Sequence, residues 1–230
     1  MTRSRGLGDV YKRQFLHCSG HLKNDTNFGN YFGKMYQPRY LSGLAAGAMT
    51  ESNKIGYVAA FPIPEVIRGI NAFATGVKEV NPDATVEVVW TFTWFGPEAE
   101  TQAANALLET GVDVLAQHQD SPSTGIAAEA AGAKWISYNT AYGQDAAPGA
   151  FVTAPVWDWG PYYVDVVESI INDEFVAEAY WGGMETGLVS LYELTSDVPS
   201  ETASLISDRT EEIISGSFDP PIVEEEFIDN

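Results

Sequence analysis

The stretch IGYVAAFPIPEVIRGINAFATGVKEVNPDATVEVVWTF (Ile55–Phe92) decides the fold. It opens on IGYVAAF (Ile55–Phe61), a short apolar run of β-branched and aromatic residues that reads as a buried strand. Val66, Ile70, Phe73 and Val77 then recur every three or four residues, the spacing of one helix face. TVEVVWTF (Thr85–Phe92) returns to strand. Working outward, Pro97 opens a helix with Ala99, Ala103, Ala106 and Leu107 on one side, and Gly111 closes it. VDVLAQ (Val112–Gln117) reads as strand, Ser121-Pro122 as the start of a helix that Gly132 stops, and KWISYN (Lys134–Asn139) as strand again. Strands and helices alternating at this spacing make an α/β fold, a parallel sheet covered on both faces.

The flanks extend the pattern. Asn30–Met49, apolar at Phe32, Met35, Tyr36, Tyr40, Leu44 and Ala48, is expected to be one helix, with Gly43, Ala45, Ala46 and Gly47 permitting close packing. Tyr162–Phe175 reads as helix, Ala177–Trp181 and Gly187–Leu194 as short strands, and Ser200–Ser215 as a last helix stopped by Gly216. The tail FDPPIVEEEFIDN is expected to be irregular, because two consecutive prolines forbid helix.

Composition narrows the partners. The 230 residues carry 12 Lys+Arg against 32 Asp+Glu, a net charge of −20 that phosphate backbones and anionic lipid surfaces repel. Apolar content of 45% with 12% aromatics argues against disorder. No apolar run approaches the roughly 20 residues of a membrane span. The single Cys18 excludes an internal disulfide framework and a multi-cysteine zinc site. The first fourteen residues, MTRSRGLGDVYKRQ, are basic, without the apolar stretch of a signal peptide. They are read as non-native adapter sequence rather than a true leader, with the native chain entering inside a strand at Phe15.

In open parallel sheets, ligands bind beyond the carboxyl ends of the strands. Those ends are Phe61-Pro62, Thr93-Trp94-Phe95, His118-Gln119-Asp120-Ser121 and Asn139-Thr140-Ala141-Tyr142. Flat aromatics, one carboxylate and amides suit a planar, hydrogen-bonding ligand such as a nucleobase. Each residue also has a plainer role: Trp94 as core, Asp120 as a helix cap. His118 with Ser121 offers a general base beside a hydroxyl, but no Gly-x-Ser-x-Gly elbow surrounds that serine. There is no G-x-G-x-x-G, no phosphate loop and no H-E-x-x-H, and His17, His21 and His118 are too scattered for a metal set. Neither a cofactor nor a metal is expected.

The strings YFGKMYQPRYLSGLAAGAMTESNKIGYVAAFPIPEVIRGINAFATGVKEVNPDATVEVVWTFTWFGPEAE, AANALLETGVDVLAQHQDSP, APGAFVTAPVWDWGPYY and YWGGMETGLVSL resemble the basic membrane protein family, substrate-binding lipoproteins of purine-nucleoside ABC importers. The resemblance spans about Phe15 to Asp219. It implies a periplasmic-binding-protein type I fold, two α/β lobes joined by three crossovers and closing on ligand in the cleft between them. On that basis 15–26 and 150–182 would be the remnant of a first lobe that is largely missing, and 27–149 with 183–230 the second lobe. The resemblance further implies a solute-binding protein rather than an enzyme. Its partners would be a purine base or nucleoside, a permease and an ATPase, and its place the periplasm or the outer face of the cell membrane. A lipid anchor would be the only membrane contact, and Cys18 does not match one, because FLH stands where a small-residue lipobox would.

In this family a purine is sandwiched between one aromatic from each lobe, and the second-lobe aromatic matches Trp94. Asp120, in HQDSP, matches the ligand's polar edge. Where family members carry an aspartate for ribose hydroxyls this chain has Ala141, with Asn139 nearby, which favours a free base such as adenine. Trp157 stands where another branch has lysine. Phe61, Ser121 and Trp181 complete the expected contacts. With one aromatic wall, this chain is expected to bind weakly or not at all. Two further readings remain: a nucleoside-processing hydrolase using His118 and Asp120, and a ligand-sensing regulator on the same fold.

Overall fold

The computed structural model describes residues 13–224. The expectations about the basic leader before residue 13 and about the end of the acidic tail lie outside the described residues.

In chain order, β1 (Phe15–Cys18) and β2 (Phe28–Gly33) precede α1 (Tyr36–Met49). Strict alternation follows: β3 (Lys54–Ala59), α2 (Pro64–Val80), β4 (Thr85–Trp90), α3 (Pro97–Glu109), β5 (Val114–Gln117), α4 (Ser123–Ala131) and β6 (Lys134–Ile136). The one-turn α5 (Gly143–Ala146), β7 (Phe151–Thr153), β8 (Pro155–Trp157), α6 (Gly160–Ile171), β9 (Ala179–Gly182), β10 (Val189–Leu191) and α7 (Ser200–Ser215) complete the described chain. Pro64 and Pro97 each sit in the first turn of their helix, where the missing N–H is not needed. Gly132 and Gly216 end α4 and α7 in the left-handed conformation, at φ 74° and 75°.

One expected element is corrected. Asn30–Met49 is not a single helix, since residues 28–33 form β2 and α1 begins at Tyr36. Pro38 explains the late start. It fits the first turn of a helix that begins at Tyr36, but would break one running from Asn30. The FGNYFG segment instead pairs in parallel with β1 on one side and β9 on the other.

The chain divides into two compact units. The smaller takes the described residues up to Lys34 and then Asp158–Leu188; the larger takes Met35–Trp157 and the described residues from Val189 onward. The chain thus passes between units three times, each several residues later than the expected lobe boundaries. Strand pairing sets the difference. β2 hydrogen-bonds β1 and β9, so it goes with the smaller unit, and β7 pairs with β6, so it stays with the larger.

The smaller unit is a three-stranded parallel sheet, order β1-β2-β9, with α6. Tyr31 of β2 stacks on Tyr162 of α6 at 4.8 Å between ring centroids, and its hydroxyl lies 3.0 Å from that of Tyr163. The larger unit is a five-stranded parallel sheet, order β4-β3-β5-β6-β7, with an antiparallel β8–β10 pair beside it. Its core gathers Val58, Leu107, Leu115, Trp135 and Phe151 between sheet and helices. The strand order reverses between β3 and β5, and such a switch point opens a crevice beyond the carboxyl ends.

Candidate ligand-binding site

Three loops of the larger unit meet at that edge. The loop after β3 carries Phe61, the loop after β4 carries Phe92 and Trp94, and the loop after β5 carries His118, Asp120 and Ser121. The Trp94 ring, 42% exposed, lies 5.2 Å from Phe61 and 5.9 Å from His118 between centroids. The Asp120 N–H donates to the Trp94 carbonyl at 3.0 Å, so the tryptophan and the carboxylate are held by one backbone bond. Asn139 Nδ2 donates to Asp120 Oδ1 at 2.7 Å. Partial desolvation lifts the Asp120 carboxyl above its ordinary range, and the Asn139 bond opposes the shift.

A buried polar layer fixes these loops from beneath. Gln117, at the end of β5, accepts from the Trp135 indole at 3.1 Å and donates to the Gln119 and Ser121 carbonyls at 2.9 and 2.8 Å. Its own carbonyl accepts from Arg39 Nη1 at 2.8 Å. Glu100 of α3, wholly buried, accepts from the Gly96 N–H at 2.9 Å and from the Ser121 hydroxyl, and so clasps the Trp94 loop to the Asp120 loop. Burial raises the Glu100 carboxyl above its ordinary range, and the nearby Asp120 charge adds to the effect.

Below Trp94, the His118 ring packs 4.6 Å from Tyr138, whose other neighbour is the fully buried Arg39 guanidinium at 3.9 Å from the ring centroid. His118 Nε2 lies 3.5 Å from Glu65 Oε2 in the first turn of α2. Desolvation, with Arg39 adding to it, holds His118 well below the ordinary histidine pKa, so the imidazole is neutral at pH 7. Desolvation pushes Glu65 up to about 7, against the pull of Arg39 and Arg68. The site therefore presents a neutral aromatic floor and one exposed carboxylate.

The sequence-expected residues divide into three groups. Phe61, Trp94, Asp120, Asn139 and Trp157 belong to one connected set, in which the Trp157 indole donates to Asn139 Oδ1 at 3.1 Å. Ser121, 3% exposed, turns its hydroxyl inward to Glu100 and Ser123. Trp181 lies on β9 in the smaller unit. His118 is 4% exposed, too enclosed to meet a substrate as a general base. A cavity of about 330 Å³ adjoins the carboxylate, lined among others by Gln119, Asp120, Ser137, Asn139 and Tyr142. Among the described residues no group of three or more His, Cys, Asp or Glu is placed to hold a metal. Arg39, Glu65, Glu100 and Gln117 were not singled out from sequence, and the one available signal was a polar residue closing the apolar strand VDVLAQ.

A doubly wound parallel sheet with a second, smaller α/β unit and three passages of the chain between them is a fold shared with solved solute-binding proteins. A solved ABC transporter solute-binding protein from Conexibacter woesei superposes with a TM-score of 0.73 at 23% identity, covering 91% of this chain and 71% of that one. The family profile of PnrA-like ABC transporter substrate-binding proteins matches residues 7–221, and the chain belongs to this family, Bmp. It is a family of binding proteins, not of enzymes. A Haloferax volcanii protein named as an ABC transporter glucose-binding protein is 44% identical over 89% of this chain and 52% of its own length. A Brucella abortus purine-binding protein is 35% identical over 90% of this chain and 58% of its own. The chain thus spans little more than half the length of these relatives.

Proposed function

We propose that the chain is the ligand-reading part of an extracytoplasmic receptor that delivers a purine base, adenine-like, to the permease and ATPase of an ABC importer, with a lipid anchor on the whole protein. The observation that carries this reading is the half-exposed Trp94 ring set beside Phe61 and tied through its own carbonyl to Asp120. A planar base stacks on the indole while its N–H donors turn to the carboxylate, and the neutral His118 beneath adds no charge. The negative charge of Asp120 and the absence of an exposed cation among the side chains named at this edge disfavour an aromatic acid. The purine-binding relative supports the same ligand class.

A hexose is the second reading, favoured by the name of the 44% identical relative. A sugar also lies flat on an indole, and its ring of hydroxyls would turn to the polar side chains of the adjoining cavity, Gln119, Ser137 and Asn139, rather than to the aromatic neighbours of Trp94. Calorimetry of this chain, and of a chain extended to the length of its relatives, with adenine, guanine, adenosine and glucose decides between them. Heat from a purine with no product released supports the receptor. Heat from glucose alone, or nucleoside cleavage, overturns it.

A further inference from the structure

We propose that Asn139 is a positioning residue, locked by the Trp157 indole so that it presents Asp120 to the ligand rather than touching the ligand itself; this rests on Asp120 being the ligand's polar partner. The chemistry of the three groups fixes the direction of the chain. An indole N–H can only donate, so the Asn139 atom 3.1 Å from Trp157 Nε1 must be the oxygen. That leaves Nδ2, a donor only, facing Asp120 Oδ1 at 2.7 Å. The amide cannot flip without setting two donors against each other on one side and two acceptors on the other. Asn139 thus has both ends of its side chain committed to protein, while Asp120 Oδ2 has no hydrogen-bond donor among the described residues.

The backbone reinforces the lock. Asn139 sits at φ 69°, a left-handed conformation that asparagine tolerates better than most residues. It forms an isolated parallel bridge with Val156, and its carbonyl accepts from the Trp157 N–H at 3.4 Å. Strand β8 therefore grips Asn139 through main chain and side chain together. Trp157 is the last residue of the larger unit before the chain leaves it at Asp158. A substitution at Trp157 should then be felt at the Asp120 carboxylate through Asn139.

Carbon-13 NMR titration of the Asp120 carboxyl, assigned with D120N, tests this on the intact chain without any ligand. Asn139→Gly deletes the amide yet keeps a residue at home in the left-handed conformation, and Trp157→Phe removes the indole donor while keeping an aromatic ring. Both variants are expected to move the Asp120 titration to higher pH than in the parent, because a hydrogen bond to the charged form is lost or loosened. Both should also weaken adenine binding about tenfold in the chain extended to its relatives' length. An Asp120 titration unchanged in W157F, with both proteins folded by circular dichroism, overturns the relay. A shifted titration with unchanged adenine affinity confirms the positioning geometry and overturns its role in ligand reading. If the parent takes no purine at all, the failure belongs to the proposed ligand, and the titration alone still decides the relay.

Discussion

Glu65 and His118 face each other below the Trp94 ring with opposite responses to burial, and this gives the folded unit a distinct pH dependence. Glu65 is raised from 4.5 to about 7, so between those values the native state keeps a proton that the unfolded chain has released. Its contribution to stability is complete below pH 4.5 and declines as pH rises through about 7, by on the order of 3 kcal/mol in full. His118 is lowered from 6.5, so its contribution is present above that value and declines as pH falls. The two trends oppose each other in mildly acidic solution, and only a comparison separates them. Relative to Glu65→Gln, the parent should lose stability to urea between pH 5 and pH 8, and parallel profiles would contradict the assignment. Single residues were unevenly legible. Trp94, Asp120 and Asn139 could be located because they follow strands, where ligand edges form. Ser121 stands in the same loop, yet it turns inward, since Glu100 is buried behind it and needs a donor. Glu65, Arg39 and Gln117 could not be recognised as a set, because their partners are distant in sequence and one polar residue on an apolar segment does not announce a buried network.

Helix α1 and helix α2 show how close packing at the element scale depends on single glycines. A Cβ at Gly43 of α1 would lie 2.0 Å from the Phe73 carbonyl oxygen of α2, and one at Gly76 of α2 would lie 2.1 Å from the Tyr40 carbonyl oxygen of α1. Both obstacles are backbone, which no rotamer change relieves. Alanine at either position gains about 1 kcal/mol of helix propensity, but forces the helices apart at an overpacking cost of ~1–3 kcal/mol or more. Gly43→Ala and Gly76→Ala are each expected to lower stability by about 2 kcal/mol in urea titration, and an increase at either site would mean the helices are less tightly apposed than described. The small-residue stretch GLAAGA read correctly as a packing face from sequence. The start of that helix did not, because the aromatics of FGNYFG satisfy helical spacing as readily as they satisfy a strand. Only Pro38, and the two neighbouring strands that pair with β2, separate the alternatives. From Lys54 to Ile136 strand and helix types were legible throughout, since apolar period, proline starts and glycine stops agree there.

The whole chain is acidic and unevenly so. From Trp135 to Asn230 there are 19 Asp or Glu against the single Arg209, a local charge of −18. That charge repels a nucleic-acid polymer but not a neutral base, and at the site it is represented by one exposed carboxylate beside a neutral floor. The two compact units of the chain divide where strand partners divide. The 44% and 35% identical relatives bear the names of a glucose binder and a purine binder, and the two ligands part in what they ask of Trp94. Saturation-transfer NMR reads weak and tight ligands alike, and applied to this chain it tests the central claim directly. Adenine should show saturable transfer to its H2 and H8 protons, reduced about 5- to 150-fold in affinity by Trp94→Ala and abolished by Asp120→Ala, with no transfer to glucose. Saturable transfer to glucose and none to adenine, or an adenine signal indifferent to Trp94→Ala, would contradict it.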